Sequence, residues 1–193
     1  MSPEFLSADY WNEKYLSRQT GWDIGSVSTP LKEYFDQLTD KHIRILIPGG
    51  GNSYEAGYLL EQGFTNITIV DISKVVTDQV SRKFTDPSIH ILTGDFFDLQ
   101  GEYDLIVEQT FFCALDPSLR GKYVQNVKRL LSDNGKLAGL LFNRNFETNP
   151  PFGGSMEEYR QLFSPALRIM VLEKCYNSIP ARAGSELFLI ARK

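Results

Sequence analysis

Short apolar runs alternate with amphipathic stretches through the middle of the chain. Apolar runs of this length suit strands that are buried on both faces. They predict strands at 43–48, 67–71, 89–93, 103–108 and 136–142. The stretches between them carry apolar residues at helical spacing and predict helices at 53–62, 73–84 and 117–131. Strands that alternate with helices are typical of a mostly parallel sheet with helices on both faces.

The pattern changes after residue 142. A loop rich in Asn, Pro and Gly covers 143–155, and a short helix is predicted at 156–163. Two strands follow at 166–175 and 185–191 with no helix between them, which predicts an antiparallel hairpin. Ahead of the sheet, two helices are predicted at 9–18 and 29–38. The sequence therefore predicts an α/β, Rossmann-like fold with a seven-stranded sheet and a helical N-terminal segment across its mouth.

Length, charge and composition narrow the class of protein. The 193 residues fit one domain, 1–193, in which 1–40 form the N-terminal segment. The formal charge of −4 argues against nucleic acid and anionic membranes as partners. No basic start with an apolar stretch indicates a signal peptide and no apolar run could span a bilayer, so we expect a cytoplasmic protein. The two cysteines lack metal-ligand spacing, and no metal site is predicted.

The candidate chemistry lies directly after the predicted strands, where open α/β sheets bind ligands. Three glycines, 49–51, follow the first strand and let the backbone approach a ligand at a helix N-terminus. Asp71 ends the second strand, about twenty residues further on, where a carboxylate can accept from both ribose hydroxyls. Asp95 and Phe96 follow the third strand and suit the amine and face of an adenine ring. The pattern indicates an adenosine-type cofactor, and Tyr54 in place of a third motif glycine disfavours a dinucleotide.

Structural alternatives stay open for these residues. The glycines can form a tight turn without a ligand, and Asp71 and Asp95 can each cap the helix that follows. Phe96 can belong to the core, and Trp11 and Tyr15, four residues apart, can form one buried helix face.

Eight short sequence segments can be compared with the motifs of known protein families. They are Trp-Asn-Glu-Lys-Tyr at 11–15, Gly-Trp-Asp at 21–23, Ile-Pro-Gly-Gly-Gly at 47–51, Val-Asp-Ile-Ser at 70–73, Gly-Asp-Phe at 94–96, Phe-Phe-Cys-Ala-Leu at 111–115, Pro-Pro-Phe at 150–152 and Ile-Pro-Ala-Arg at 179–182. In these segments the chain resembles class I S-adenosylmethionine-dependent methyltransferases, and within them the thiopurine methyltransferase and halide/thiol methyltransferase group. The resemblance covers nearly the whole chain.

The resemblance implies a role for each matching residue. It implies that segment 1–40 forms an N-terminal lid. It also implies that S-adenosylmethionine is the cofactor and S-adenosylhomocysteine the product formed from it. The implied cofactor contacts are Trp11, Tyr15, Trp22, Gly49, Gly51, Asp71, Ile72, Asp95, Phe96 and Glu108. The implied acceptor contacts are Gln109, Phe111, Phe112, Pro151, Phe152 and Arg182. A surface salt bridge is an equal alternative for Arg182.

The chain also departs from the group's pattern. Gln109 stands where thiopurine enzymes carry Arg and halide/thiol enzymes carry Tyr, so the identity of the acceptor stays open. Asn52 and Ser53 replace glycines of the family. Asn-Pro-Pro-Phe at 149–152 spells a signature of enzymes that methylate planar amino nitrogens, but it follows the fifth strand rather than the fourth, which argues against that reaction.

The implied reaction is in-line transfer of a methyl group to a small, soft nucleophile such as a thiol, thiopurine, thiocyanate or halide. We assign no general base: His42 and His90 lie away from the strand ends, and Cys113 is interpreted as a packing residue. The alternatives are a small-molecule O- or N-methyltransferase and a cofactor-binding protein of the same fold without catalysis. The oligomeric state stays open, and a monomer is compatible with the sequence.

Overall fold

A computed structural model describes residues 6–193, and the first five residues of the predicted lid segment lie outside the described residues. Seven strands form one sheet in the order β3-β2-β1-β4-β5-β7-β6. Their bounds are β1 Ile45–Pro48, β2 Ile67–Asp71, β3 Ile89–Thr93, β4 Tyr103–Gln109, β5 Leu131–Phe142, β6 Arg168–Lys174 and β7 Glu186–Arg192. The helices are α1 Ala8–Leu16, α2 Thr29–Asp36, α3 Tyr54–Glu61, α4 Lys74–Lys83, α5 Arg120–Leu130 and α6 Met156–Phe163. This order and the mixed pairing confirm the predicted fold class.

The backbone divides into two compact units, residues 1–99 and 100–193. In the first unit β1, β2 and β3 are parallel, with Ile45 opposite Ile67 and Ile67 opposite Ile89. Every residue of β1 and β2 is buried, as expected for strands covered on both faces. Ser73 is the N-cap of helix α4, and its hydroxyl accepts from the Val76 N–H at 3.3 Å.

In the second unit β4 and β5 are parallel, whereas β7 pairs antiparallel with both β5 and β6. The sequence predicts no helix between the last two strands and therefore an antiparallel C-terminal hairpin, which the structure confirms. Helix α5 buries Tyr123 and helix α6 buries Tyr159 and Phe163. These rings form an aromatic core that holds the residues after β4.

Several predicted boundaries shift by one or more residues, among them the starts of α5, β5 and β1. Helix α5 begins at Arg120 rather than 117, because the Asp116 carboxylate accepts from the Ser118 N–H at 2.9 Å and starts a 3₁₀ turn instead. Strand β5 begins at Leu131 rather than 136, and Asn134 within it takes a left-handed φ of 69°. Strand β1 begins at Ile45, where pairing with β2 starts. Among residues 6–193 no helix has both the length and the apolar character that crossing a membrane requires.

Candidate functional site

The glycine turn after β1 takes a conformation that needs glycine. Gly49 and Gly51 have φ values of 58° and 50°, in the left-handed region that disfavours other residues. A Cβ on Gly50 would lie 2.5 Å from Ile69 Cγ2. Ser53, which replaces a family glycine, also has a left-handed φ of 54°, and its buried hydroxyl donates to the Gly50 carbonyl at 3.2 Å. The turn thus exposes backbone at the carboxyl end of β1.

Asp71 lies beside this turn at the end of β2. Its Oδ2 accepts from the Gly51 N–H at 3.2 Å and its Oδ1 accepts from the Ser73 N–H at 2.9 Å. Burial raises the pKa of this carboxyl to about 6, although the two backbone donors oppose that shift. Each carboxylate oxygen has a further lone pair for an added donor. Asp71 therefore fits a diol such as ribose, and Ile72 lies half-buried directly after it.

An aromatic cover lies on the same turn, formed by Trp11 and Tyr15 of α1 together with Trp22. The Trp22 ring centroid is 5.6 Å from that of Trp11 and 5.8 Å from that of Tyr15, both edge to face. The Tyr15 hydroxyl lies 2.8 Å from the position that a Cβ on Gly51 would occupy. All three rings are half-buried, and α1 has no buried residue in the described chain, so the alternative of one buried helix face does not describe Trp11 and Tyr15.

The residues after β3 combine exposed and buried groups. Asp95 is half-buried, and its Oδ1 accepts from the Phe97 N–H at 2.9 Å within a turn. The next element is strand β4, so Asp95 does not cap a helix. The Phe96 ring is 3% exposed and meets the Phe97 ring edge to face at 5.5 Å. The adenine contacts of both residues stay predictions. The carboxyl ends of β1, β2 and β3 together fit an adenosine-type cofactor by their open backbone, buried carboxylate and aromatic cover.

The end of β4 is organised around the Glu108 carboxylate. Its Oε1 accepts from the Phe111 N–H at 2.9 Å and the Phe112 N–H at 2.8 Å, and its Oε2 accepts from the Tyr123 hydroxyl at 2.7 Å. Burial raises the pKa of Glu108 to about 7, against the effect of these donors. A Cβ on Gly139 of β5 would overlap Glu108, so the neighbouring strand needs glycine there.

Gln109 and the two phenylalanines next to it differ in environment. Gln109 Oε1 is buried and has no hydrogen-bond partner within residues 6–193. Phe111 is half-buried, whereas Phe112 is 1% exposed and enclosed by the rings of Tyr123, Tyr159 and Phe163 at centroid distances of 5.1, 5.7 and 5.9 Å. Phe111 is therefore the more exposed of the two rings, and Phe112 lies in the core.

The Pro-rich loop is hydrogen-bonded to the residues that follow β4. The half-buried Phe152, which follows Pro151, donates its N–H to the Cys113 carbonyl at 2.7 Å. The buried Arg120 guanidinium donates to the Gly153 carbonyl at 2.7 Å, pairs with Glu158 and lies over the Phe112 ring at 4.9 Å. Sequence reasoning missed Arg120 and Tyr123, because their roles arise from contacts distant in the chain.

Arg182 and Cys113 are both engaged within the second unit. Arg182 pairs with the buried Glu186 at 3.4 Å and lies 5.4 Å from the Phe142 ring centroid. The pair is buried rather than the surface salt bridge considered above. Burial raises the pKa of the Cys113 thiol, which donates to the Thr110 carbonyl at 3.4 Å. A thiol with a raised pKa is a poor nucleophile, in keeping with its interpretation as a packing residue.

Comparisons with known proteins agree with this arrangement. The sequence profile of the thiopurine S-methyltransferase family matches residues 6–186. A probable thiol methyltransferase 2 of Arabidopsis thaliana is 28% identical, over 82% of this chain and 73% of that protein. A thiopurine S-methyltransferase of Acinetobacter baylyi is 26% identical, over 88% of this chain and 89% of that protein.

Solved structures show the same fold at low identity. A Burkholderia thailandensis 1,6-didemethyltoxoflavin-N1-methyltransferase with bound S-adenosylhomocysteine has a TM-score of 0.78 at 17% identity, over 96% of this chain and 86% of that one. The magnesium protoporphyrin IX methyltransferase of Synechocystis has a TM-score of 0.76 at 14% identity, over 96% of this chain and 97% of that one. The profile match across almost the whole chain and the strand-end geometry lead to one conclusion: this chain belongs to the thiopurine S-methyltransferase family and is an S-adenosylmethionine-dependent methyltransferase.

Proposed function

We propose that the protein transfers the methyl group of S-adenosylmethionine to the sulfur of a small thiol-type acceptor. The sulfonium carbon–sulfur bond breaks, a new carbon–sulfur bond forms, and the electron pair of the broken bond stays on the departing sulfur as S-adenosylhomocysteine. The acceptor loses its proton to solvent before transfer, since a thiol ionises near neutral pH. The relatives named for thiol and thiopurine methylation support this acceptor class.

The observation that carries the proposal is the chemistry at the end of β4. The half-buried Phe111 ring lies there beside Gln109 Oε1, which has no hydrogen-bond partner within residues 6–193, whereas the Glu108 oxygens accept three internal hydrogen bonds. No unengaged acid or base is found at this strand end within residues 6–193. A hydroxyl or protonated amine acceptor needs a base to remove its proton, whereas a thiolate does not. The arrangement therefore favours a nucleophile that is already ionised.

The residues of the site then act by orientation and by excluding water. Aromatic surface strips water from the thiolate, and alignment of the sulfur with the methyl carbon lowers the barrier without proton transfer. We propose that Gln109, Phe111, Pro151 and Phe152 contact the acceptor, with Phe112 behind them. Gln109 Oε1 offers an acceptor atom to any N–H or O–H group beside the sulfur.

A matched panel of acceptors tests this function. We expect the purified protein to form S-adenosylhomocysteine and a methylated product, detected by mass spectrometry, with thiophenol at least about 100-fold faster than with phenol or aniline, because phenol needs a base to lose its proton and the neutral aniline nitrogen is a weaker nucleophile than a thiolate. Iodide and thiocyanate in the same panel test the halide part of the proposal. Methylation of phenol or aniline at a rate equal to that of thiophenol contradicts the acceptor class.

Gln109→Met serves as the matched variant for the acceptor site, since it keeps the length of the side chain and removes the amide. It should raise the KM about tenfold for a thiol that carries an N–H group beside the sulfur, such as a thiopurine, and leave the KM values for thiophenol and S-adenosylmethionine unchanged. A protein that binds S-adenosylhomocysteine and methylates nothing in the panel is the non-catalytic alternative.

Trp22→Ala tests the aromatic cover. We expect it to weaken S-adenosylhomocysteine binding by about 1–3 kcal/mol, because the indole would lose its burial against the ligand and its contacts with Trp11 and Tyr15. Calorimetry measures the change, and Tyr176→Ala, at an exposed ring in the other unit, is the control. Affinity unchanged by Trp22→Ala assigns Trp22 to packing alone.

The remaining parts of the proposal concern partners and place. We propose a small-molecule acceptor, in keeping with the net charge of −4, which disfavours nucleic acid. We place the reaction in the cytoplasm and treat the chain as a single catalytic domain able to act as a monomer, on the sequence grounds given above. Size-exclusion chromatography with light scattering tests the last point.

A further inference from the structure

The side chain of Asn12, in the middle of α1, ends on the first turn of α4. Its Oδ1 accepts from the Ser73 hydroxyl at 2.8 Å and from the Val75 N–H at 3.2 Å. Ser73 is fully buried, and its own oxygen accepts from the Val76 N–H. Asn12 thus supplies the partner for an N–H that the start of a helix otherwise leaves unpaired. One side chain joins two helices that are 61 residues apart at this contact.

The same turn holds the Asp71 carboxylate. Ser73 donates its N–H to Asp71 Oδ1, and Gly51 donates its N–H to Asp71 Oδ2. The Tyr15 hydroxyl, one helical turn after Asn12, lies against Gly51. A closed chain of contacts therefore leaves α1 at Asn12, passes through Ser73, Asp71 and Gly51, and returns to α1 at Tyr15.

Apart from the contacts of Trp11 and Tyr15 with Trp22, helix α1 has limited packing. In the described chain none of its nine residues is buried, and it packs mainly against α4. A helix this short is unstable alone, so its position depends on a few specific contacts. Asparagine is a poor helix former, and its place in the middle of α1 is explained by these two hydrogen bonds.

We infer that Asn12 is a positioning residue for cofactor binding. It fixes the distance between the aromatic cover of Trp11, Tyr15 and Trp22 and the turn that holds Asp71. The inference rests on the proposed cofactor site. Asn12 acts through Ser73 and α1. The same pair of hydrogen bonds therefore determines the position of the Asp71 carboxylate and the position of the rings.

The composition of the chain offers a direct readout. Its two tryptophans, Trp11 and Trp22, both belong to the aromatic cover, so the intrinsic tryptophan fluorescence reports on the cover alone. Asn12→Ala removes the acceptor oxygen, whereas Asn12→Asp keeps it with the same shape and suits a helix N-terminus. Ser17→Ala is the matched control, because within residues 6–193 the Ser17 hydroxyl donates only to the carbonyls of Glu13 and Lys14, at the other end of α1.

We expect acrylamide to quench the fluorescence of ligand-free Asn12→Ala at least about twice as efficiently as that of the wild type, and its Kd for S-adenosylhomocysteine to rise about tenfold. Asn12→Asp should restore both values to within about threefold, and Ser17→Ala should match the wild type. The KM for the acceptor should stay unchanged in all three variants.

Two results overturn the inference. Wild-type quenching in Asn12→Ala means that Asn12 does not hold the cover, and increased quenching with an unchanged Kd means that it stabilises α1 without serving the cofactor. A wild-type protein that binds S-adenosylhomocysteine but methylates no acceptor overturns the proposed function instead, and the comparison of quenching and Kd still decides the role of Asn12.

Discussion

Replacing Glu108 with alanine is expected to lower the free energy of unfolding by about 3–5 kcal/mol. Three donors, the N–H groups of Phe111 and Phe112 and the Tyr123 hydroxyl, would lose their partner, and each unpaired buried donor costs about 1–3 kcal/mol. The variant no longer has to bury a carboxyl group, and this offsets part of the cost. Urea denaturation monitored by circular dichroism measures the change.

Two tyrosines form a matched pair for this prediction. Both Tyr123 and Tyr159 are almost fully buried, but the Tyr123 hydroxyl donates to Glu108 whereas the Tyr159 hydroxyl donates to the Phe142 carbonyl at 2.7 Å. Tyr123→Phe removes a donor that favours the carboxylate and should raise the pKa of Glu108 further, while Tyr159→Phe should leave it unchanged. Equal effects of the two variants on the titration contradict this role of Tyr123.

The pH dependence of stability has a definite sign at Glu108. Its pKa of about 7 in the folded protein lies above the value of about 4.3 for an unperturbed glutamate. Between these values the folded state keeps a proton that the unfolded chain has released, so the free energy of unfolding falls as pH rises from about 4 to 7. Glu108→Gln does not titrate and should flatten this fall. The difference between variant and wild type isolates Glu108 from Asp71, which titrates in an overlapping range. If the free energy of unfolding changes with pH in the same way in Glu108→Gln and in the wild type, the Glu108 carboxyl is not the source of the pH dependence.

The fold was predictable where burial alone determines the element. Strand β2 has the predicted bounds, because a parallel strand inside the sheet is buried along its length and is a continuous apolar run. Strand β3 also has the predicted bounds, although it lies at the edge of the sheet and is only partly buried. Boundaries set by side-chain capping were not predictable to the residue. At the start of α5, for instance, the local bond from Ser118 to Asp116 decides between 3₁₀ and α geometry.

The candidate site was predictable at the level of residue types and less so at the level of roles. Glycine and aspartate at strand ends follow from chain geometry, since backbone approach and diol binding require them. Phenylalanine carries no such information: Phe111 and Phe112 are adjacent and identical in type, yet one is half-buried and the other lies in the core. Asn12 and Glu108 owe their roles to partners that only the folded chain brings near. The assignments of individual contacts stay predictions.

Asp71→Asn is expected to weaken S-adenosylhomocysteine binding on the order of 100-fold. The carboxylate fits both hydroxyls of a ribose, and a hydrogen bond to a charged group contributes about 1.5–3 kcal/mol. The amide would also place an NH₂ group against the N–H of Gly51 or Ser73, both of which now donate to the carboxylate. Asp78→Asn, at an exposed carboxylate paired with Lys74, controls for the loss of charge. Calorimetry at pH 7.5 measures both variants.

The pH dependence of binding separates Asp71 from a merely structural carboxyl. In the ligand-free protein its pKa is about 6, because burial disfavours the charged form. Ribose hydroxyls donate to the charged form and lower that pKa in the complex, so binding releases a proton below pH 6. The affinity of the wild type should therefore be constant above about pH 7 and fall up to about tenfold per pH unit below 6. The affinity of Asp71→Asn should be weak and free of this dependence, and a wild-type affinity that stays constant down to pH 5 contradicts the assignment of Asp71 to the ribose.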